Sequence, residues 1–162
     1  MITPLTLYHG SDCLFDAIDL SRSKNRRDFG KGFYTTTIAA QAESWARSKR
    51  LRGGAGAYVY VYAFTPSDSL RMRRFDGLSY EWLEMVKDNR TKGGLQHNFD
   101  VVIGPVADDD TMLTVSRYIQ GVYTASEALK RLEYAKANDQ LSFHTTEALA
   151  CLHFQRRYAL DF

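Results

Sequence analysis

Asp28-Phe29-Gly30-Lys31-Gly32-Phe33-Tyr34-Thr35-Thr36-Thr37 is the stretch around which the rest of the chain is read. Two glycines, two residues apart, precede an aromatic and β-branched run. Glycine permits positive φ and the close approach of another backbone or a flat ligand. Phe33 to Thr37 favours a short strand. Such a loop, feeding such a strand, presents Tyr34 either to a cleft or to a core. An upstream segment, Leu7-Tyr8-His9-Gly10-Ser11, favours the cleft.

Outward from there, Thr3 to His9 reads as a strand ended by Gly10-Ser11-Asp12. Residues 12–30 form a long polar loop holding Arg22, Lys24, Arg26 and Arg27. Long loops are often functional, and four clustered cations suit a phosphate pair. Beyond the strand, Ala39, Ala42, Trp45 and Ala46 recur at helical steps as far as Arg50, where Gly53-Gly54-Ala55-Gly56 stops the helix. Ala57 to Phe64 is the clearest strand of the chain. Leu70 and Met72 suit a short edge strand, Leu78 to Val86 a helix, and Phe99 to Ile103 a buried strand. The Asp108-Asp109-Asp110-Thr111 run is expected to cap the helix that ends near Tyr118. Thr124 and Glu127 have capping-box spacing at the start of a helix through Tyr134. Asp139 to His144 reads as a strand, Thr145 or Thr146 as the cap of a short helix, and His153 to Leu160 as a closing strand. Strands and helices mix without regular alternation. The expectation is a single α+β domain over residues 1–162 with mainly antiparallel sheets.

Composition sets bounds on function. The chain of 162 residues is 44% hydrophobic and 25% charged, the balance of an ordinary globular protein. No apolar run nears the roughly 20 residues of a membrane span. The first residues lack the basic start and apolar core of a signal peptide. Cys13 and Cys151 show no metal spacing, so free thiols in a reducing cytoplasm, and no metal, are expected. Residues 1–60 carry a net charge of +4 and residues 61–162 a net of −2, so an anionic ligand suits the N-terminal part better.

His9-Gly10-Ser11 at a strand end, then Gly30-Lys31-Gly32-Phe33-Tyr34, then Trp45 eleven residues after Tyr34, resembles the NAD site of ADP-ribosyltransferases. The branch it resembles is the His-Tyr-Glu type of diphtheria-like toxins and poly(ADP-ribose) polymerases. The stretches Val102 to Thr111 and Ser142 to Leu149 are similar to a bacterial group of such domains often encoded beside a short partner as a toxin–antitoxin pair. The resemblance implies an ADP-ribosyltransferase fold, a split antiparallel β-sandwich with surrounding helices. It also implies NAD as co-substrate, transfer of ADP-ribose to an intracellular target, and a cognate small antitoxin protein. It implies further that Tyr34 and Trp45 hold nicotinamide by stacking and cation–π attraction. His9 would bond an adenosine-side ribose hydroxyl and Gly10 the carboxamide, with Ser11 and Gly32 also at the cofactor. Arg27, with Arg22 and Arg26, is a candidate for the pyrophosphate.

Of the implied catalytic set His9, Tyr34 and a late-strand Glu, the last is missing, and Gln140 stands in its place. An amide accepts a ribose hydrogen bond but carries no charge to support a developing cation. Glu147 and Asp139 are substitute carboxylates to consider. A silent NAD-binding module, an NAD glycohydrolase and a nucleic-acid-binding protein remain as rival readings.

Overall fold

The computed structural model describes residues 3–108 and 111–161. Its first sheet is built from β1 (Leu5–Ser11), β3 (Tyr58–Phe64) and β7 (Leu152–Ala159), with β3 central and every pairing antiparallel. Its second contains β2 (Phe33–Thr35), β6 (Gln140–Phe143), β5 (Val101–Gly104) and β4 (Met72–Arg74), in that spatial order. Only β4 and β5 run parallel among the described residues. Among the described residues five α-helices complete the fold: α1 (Ala39–Leu51), α2 (Tyr80–Lys92), α3 (Met112–Ile119), α4 (Ala125–Arg131) and α5 (Thr146–Leu149). The α+β expectation therefore holds, with two sheets.

Alternation sorts the faces. Leu7, Tyr60, Tyr62 and Phe64 of the first sheet meet Phe33, Val101, Leu141 and Phe143 of the second across one apolar core. The opposite face of the first sheet, Val59 and Val61, packs on Ala42 of α1. The opposite face of the second sheet, through Val102, is covered by Trp82, Leu83 and Val86 of α2, Val115 of α3 and Ala128 of α4. The sheets are stitched where β1 passes β2: Tyr8 N–H donates to Thr36 O at 2.8 Å and Thr36 N–H returns to Tyr8 O at 2.9 Å.

Helix ends follow their caps. Ser79 opens α2 by accepting from Trp82 N–H, and Thr124 with Glu127 forms the expected capping box of α4. α4 stops at Arg131, short of Tyr134, which is 91% exposed and adds nothing to burial. α2 outruns its expected end at Val86 by six residues, because buried Asn89 extends the inner stripe and Gly93, at φ 73°, ends it. Of the aspartate run, Asp108 accepts from Thr111 N–H just ahead of α3. Asp109 and Asp110 lie outside the described residues. No described helix is long and apolar enough to cross a membrane. Both cysteines are free thiols.

Candidate functional site

A cleft of about 1280 Å³ opens between the end of β1, the 12–27 loop, β2, one stripe of α1 and the start of β6. Its wall on the first-sheet side begins with His9. The ring stacks on Phe33 with centroids 4.0 Å apart, and Nδ1–H donates to Tyr34 O at 2.6 Å. Burial first, then the Lys49 charge, pushes its pKa down to about 3, so the imidazole is neutral at pH 7. With Nδ1 donating, Nε2 is an acceptor. It has no partner among the described residues and is not sealed from the cleft.

Gly10 is required by packing. A Cβ there would lie 2.2 Å from Ala42 O and 3.0 Å from Ala46 N, so α1 can press on β1 only over a glycine. That approach sets the neighbouring stripe of α1, Gln41, Trp45 and Lys49, along the cleft, with Arg52 just past the helix end. Gly10 O already accepts from Lys49 Nζ at 2.7 Å, so the carbonyl assigned to a carboxamide is held by an ammonium. The Ser11 hydroxyl is likewise committed, to the backbone of Cys13. Trp45 lines the cleft and belongs to none of the three apolar cores.

The cations differ in fate. Arg27 lines the cleft, half-buried, its guanidinium with no hydrogen bond or ion pair to a described residue. Burial lowers its pKa, and Arg90 and Arg52 add to the shift against the opposing pull of Tyr34 and Asp28. Burial, then Arg27 and Lys24, push the Lys49 ammonium down to about 8. Lys24, Arg27, Lys49 and Arg52 thus crowd one wall with like charge. Arg22 lies at the mouth, exposed and 3.9 Å from Asp19. Arg26 is elsewhere: at φ 57° it turns outward and donates to Arg90 O and Thr91 O at the end of α2.

Tyr34 shows its ring to the cleft and ties its hydroxyl down, donating to Gly30 O at 2.6 Å and accepting from Phe29 N–H at 2.9 Å. Burial, then Asp28, raises its pKa, so it stays protonated. It makes no ring contact with Trp45. Gly32, also at the cleft, has His144 Nδ1 where a Cβ would be, 2.6 Å away, so that glycine lets the loop close over β6.

The floor is a closed network. Buried Asp28 accepts from Arg90 Nε at 2.7 Å and Nη2 at 2.5 Å on one oxygen. Its other oxygen accepts from Ala107 N–H and Gln140 Nε2, both at 2.9 Å. Gln140 Nε2 also reaches Pro105 O at 3.1 Å, which leaves its Oε1 without a described partner. The amide at the position of the missing glutamate therefore props a structural carboxylate. Neither substitute acid helps. Asp139 is spent on Thr36 Oγ1, Thr37 N–H and Thr37 Oγ1, and Glu147 is exposed on α5, away from the cleft. The sequence reading overlooked Lys49 and Asp28. One helical turn beyond Trp45 was the signal for the first. The second stood at the head of the glycine stretch.

An α+β chain with two sheets and a cationic, ring-lined cleft is what fold and site define. The chain belongs to the family described as "Protein of unknown function (DUF3990)", whose profile matches residues 5–154. No curated protein matches it. No solved structure does either.

Proposed function

We propose that the cleft binds NAD and that the chain is an NAD-dependent mono-ADP-ribosyltransferase with an ADP-ribosyltransferase fold. One observation carries the reading. His9, Tyr34, Trp45, Arg27 and Gln140, picked from five separate stretches of sequence, all line one cleft. Its volume exceeds the about 300–1,000 Å³ that suits drug-sized ligands, so a dinucleotide has room there. Two kinds of unsatisfied group face it. Trp45 and Tyr34 offer apolar rings for a flat cation. Arg27 and Lys49 offer positive charge without enough counter-charge, which a pyrophosphate supplies.

NAD supplies an activated ribose with nicotinamide as its leaving group. The chain's own residues do the rest. His9 Nε2 accepts from a sugar hydroxyl, its tautomer set by the Tyr34 carbonyl. Gln140 Oε1 accepts from a second hydroxyl. Lys49 must leave Gly10 O before a carboxamide can use it. By the same resemblance, the biological role is that of a cytoplasmic toxin restrained by a small antitoxin protein.

A second reading has its own support. Among the described residues, the carboxylate on the floor beside Gln140 is Asp28, and it is neutralised by Arg90. This favours a silent NAD-binding module or a slow NAD glycohydrolase. Incubation with nicotinamide-labelled and adenylate-labelled NAD separates them. Transferase action releases nicotinamide and leaves adenylate label on a macromolecule, and His9→Ala abolishes both. Release without retained label means glycohydrolase. Binding without release means the silent module. Absence of binding removes the whole reading.

A further inference from the structure

A second, smaller pocket of about 170 Å³ lies on the inner face of the first sheet, beside the cleft. The two share Phe15, Asp16 and Ile18. A β-bulge sets it up. Tyr62 pairs with Phe154 and Val61 with Arg156, which leaves Gln155 as the extra residue. Phe154 and Arg157 are thereby brought to the same face, opposite Tyr62 and Tyr60. A row of rings runs from the cleft to this edge. His9 meets Phe15 at 6.0 Å, Phe15 stacks on Tyr60 at 4.0 Å, and Phe154 lies 6.3 Å from Tyr60 and 6.0 Å from Tyr62.

Three features of the pocket point to a ligand. Phe154 is 58% exposed although its ring has neighbours to stack with. Tyr62 is only 4% exposed, yet its hydroxyl has no partner among the described residues and remains open. Arg157, whose guanidinium lies over the Tyr60 ring 5.9 Å from its centroid, and Asp16 both line the pocket without an ion pair to each other or to any other described charge. The space is below the about 300 Å³ of a drug-sized site, so it suits one flat ring system. Rings offer stacking, the tyrosine hydroxyl and the carboxylate offer polar contacts to the rim of a heterocycle, and the guanidinium suits a phosphate. A single peptide side chain could use the rings but could not answer both the guanidinium and the carboxylate.

We propose that this pocket seats a nucleobase of a single-stranded nucleic acid. Resting on the transferase reading of the adjacent cleft, it makes that strand the acceptor of ADP-ribose: a base nitrogen bonds to the ribose carbon that carries nicotinamide, the bond to nicotinamide breaks, nicotinamide leaves with that bonding pair, and the proton lost from the base nitrogen passes to water. A duplex cannot offer a base to so narrow a site without unstacking it. The test is fluorescence anisotropy of a short labelled single strand, DNA in one arm and RNA in the other, with the matching duplex as competitor and no NAD present. The single strand binds the wild type and the duplex competes poorly. Phe154→Ala weakens binding about ten-fold, the scale of one lost stacked base. Tyr62→Phe, which keeps the ring, weakens it a few-fold. Arg157→Gln reduces the salt dependence by about one phosphate contact. NAD affinity, measured separately by calorimetry, is unchanged in all three variants.

Absence of single-strand binding overturns the proposal, as does equal duplex binding. So does a loss of NAD affinity in Phe154→Ala, which would make the pocket part of the NAD site. If the variants behave as stated but the wild type never releases nicotinamide, the nucleobase site stands and the transferase reading falls.

Discussion

The wall and the floor of the cleft are built on opposite rules. On the floor every strong donor or acceptor but one has a partner: Asp28 takes four hydrogen bonds from Arg90, Ala107 and Gln140. On the wall His9 Nε2 and the Arg27 guanidinium have none among the described residues, Trp45 packs in none of the three described cores, and Lys49 makes do with a carbonyl. Buried polar groups are normally satisfied, and a cluster of like charges normally finds counter-ions. A wall whose polar groups stay open to the cleft and whose like charges gather, beside a floor whose polar groups are paired, separates what the proposed reading gives to a ligand from the scaffold that holds it.

The sharpest way to break that contrast is Asp28→Ala. If the floor is scaffold, its loss strands the Arg90 charge and the Gln140 amide. Denaturant unfolding should show a loss of about 3–5 kcal/mol, the cost of halving a buried ion pair. A loss near zero would mean the carboxylate is held for chemistry instead.

Acid should act next. His144, beneath the glycine loop, bonds Lys31 O and Ser142 Oγ, and burial pushes its pKa down to about 4. His9 falls to about 3. As pH drops below about 6.5 the unfolded chain takes up protons that the folded imidazoles refuse, so stability falls with pH. His144 alone should remove about 3 kcal/mol by pH 4. His9, with one edge toward the cleft, should contribute less than its shift implies. The pH dependence of unfolding in wild type and His144→Gln checks this, the variant losing about one proton from the slope.

Much of the fold was legible because local chemistry and tertiary position agree. The β3 run of tyrosines and valines, the capping box of α4 and the glycine stop after α1 all do in the structure what their residue types favour. The end of α2 was hidden because Lys87 to Lys92 carries its polar face to solvent, and only buried Asn89 marks the inner side. At the site, His9, Tyr34, Trp45 and Arg27, singled out through the resemblance, all line the cleft. Their obligations were not legible. That Gly10 serves the α1 backbone, that Arg26 turns away at positive φ, and that Gln140 props Asp28 are all contacts between residues far apart in sequence.

Lys49 sharpens the account of the wall with a smaller effect. Its folded-state pKa of about 8 lies below the usual 10.5, so above pH 8 the folded chain sheds a proton that the unfolded chain keeps. Stability should therefore rise between pH 8 and 9.5, on the order of 1 kcal/mol after allowance for its partial exposure. Added pyrophosphate should raise the melting temperature at pH 7 and flatten that rise. A flat profile without the anion would show that the wall carries no excess charge. The smallest effect expected is that of Glu147→Gln. Its carboxylate is exposed and outside the cleft, so NAD binding and nicotinamide release should not change. A measurable loss would bring α5 into the site and erase the distinction between wall and scaffold.

Tryptophan fluorescence tests the central claim most directly, because the two tryptophans report on opposite regions. Trp82 is fully buried against α3 and α4, donating to Pro105 O, whereas Trp45 stands on the cleft wall. Titration with NAD should give saturable quenching in the wild type that disappears in Trp45→Phe and persists in Trp82→Phe. Quenching that survives the loss of Trp45, or none at any NAD concentration, would contradict the account.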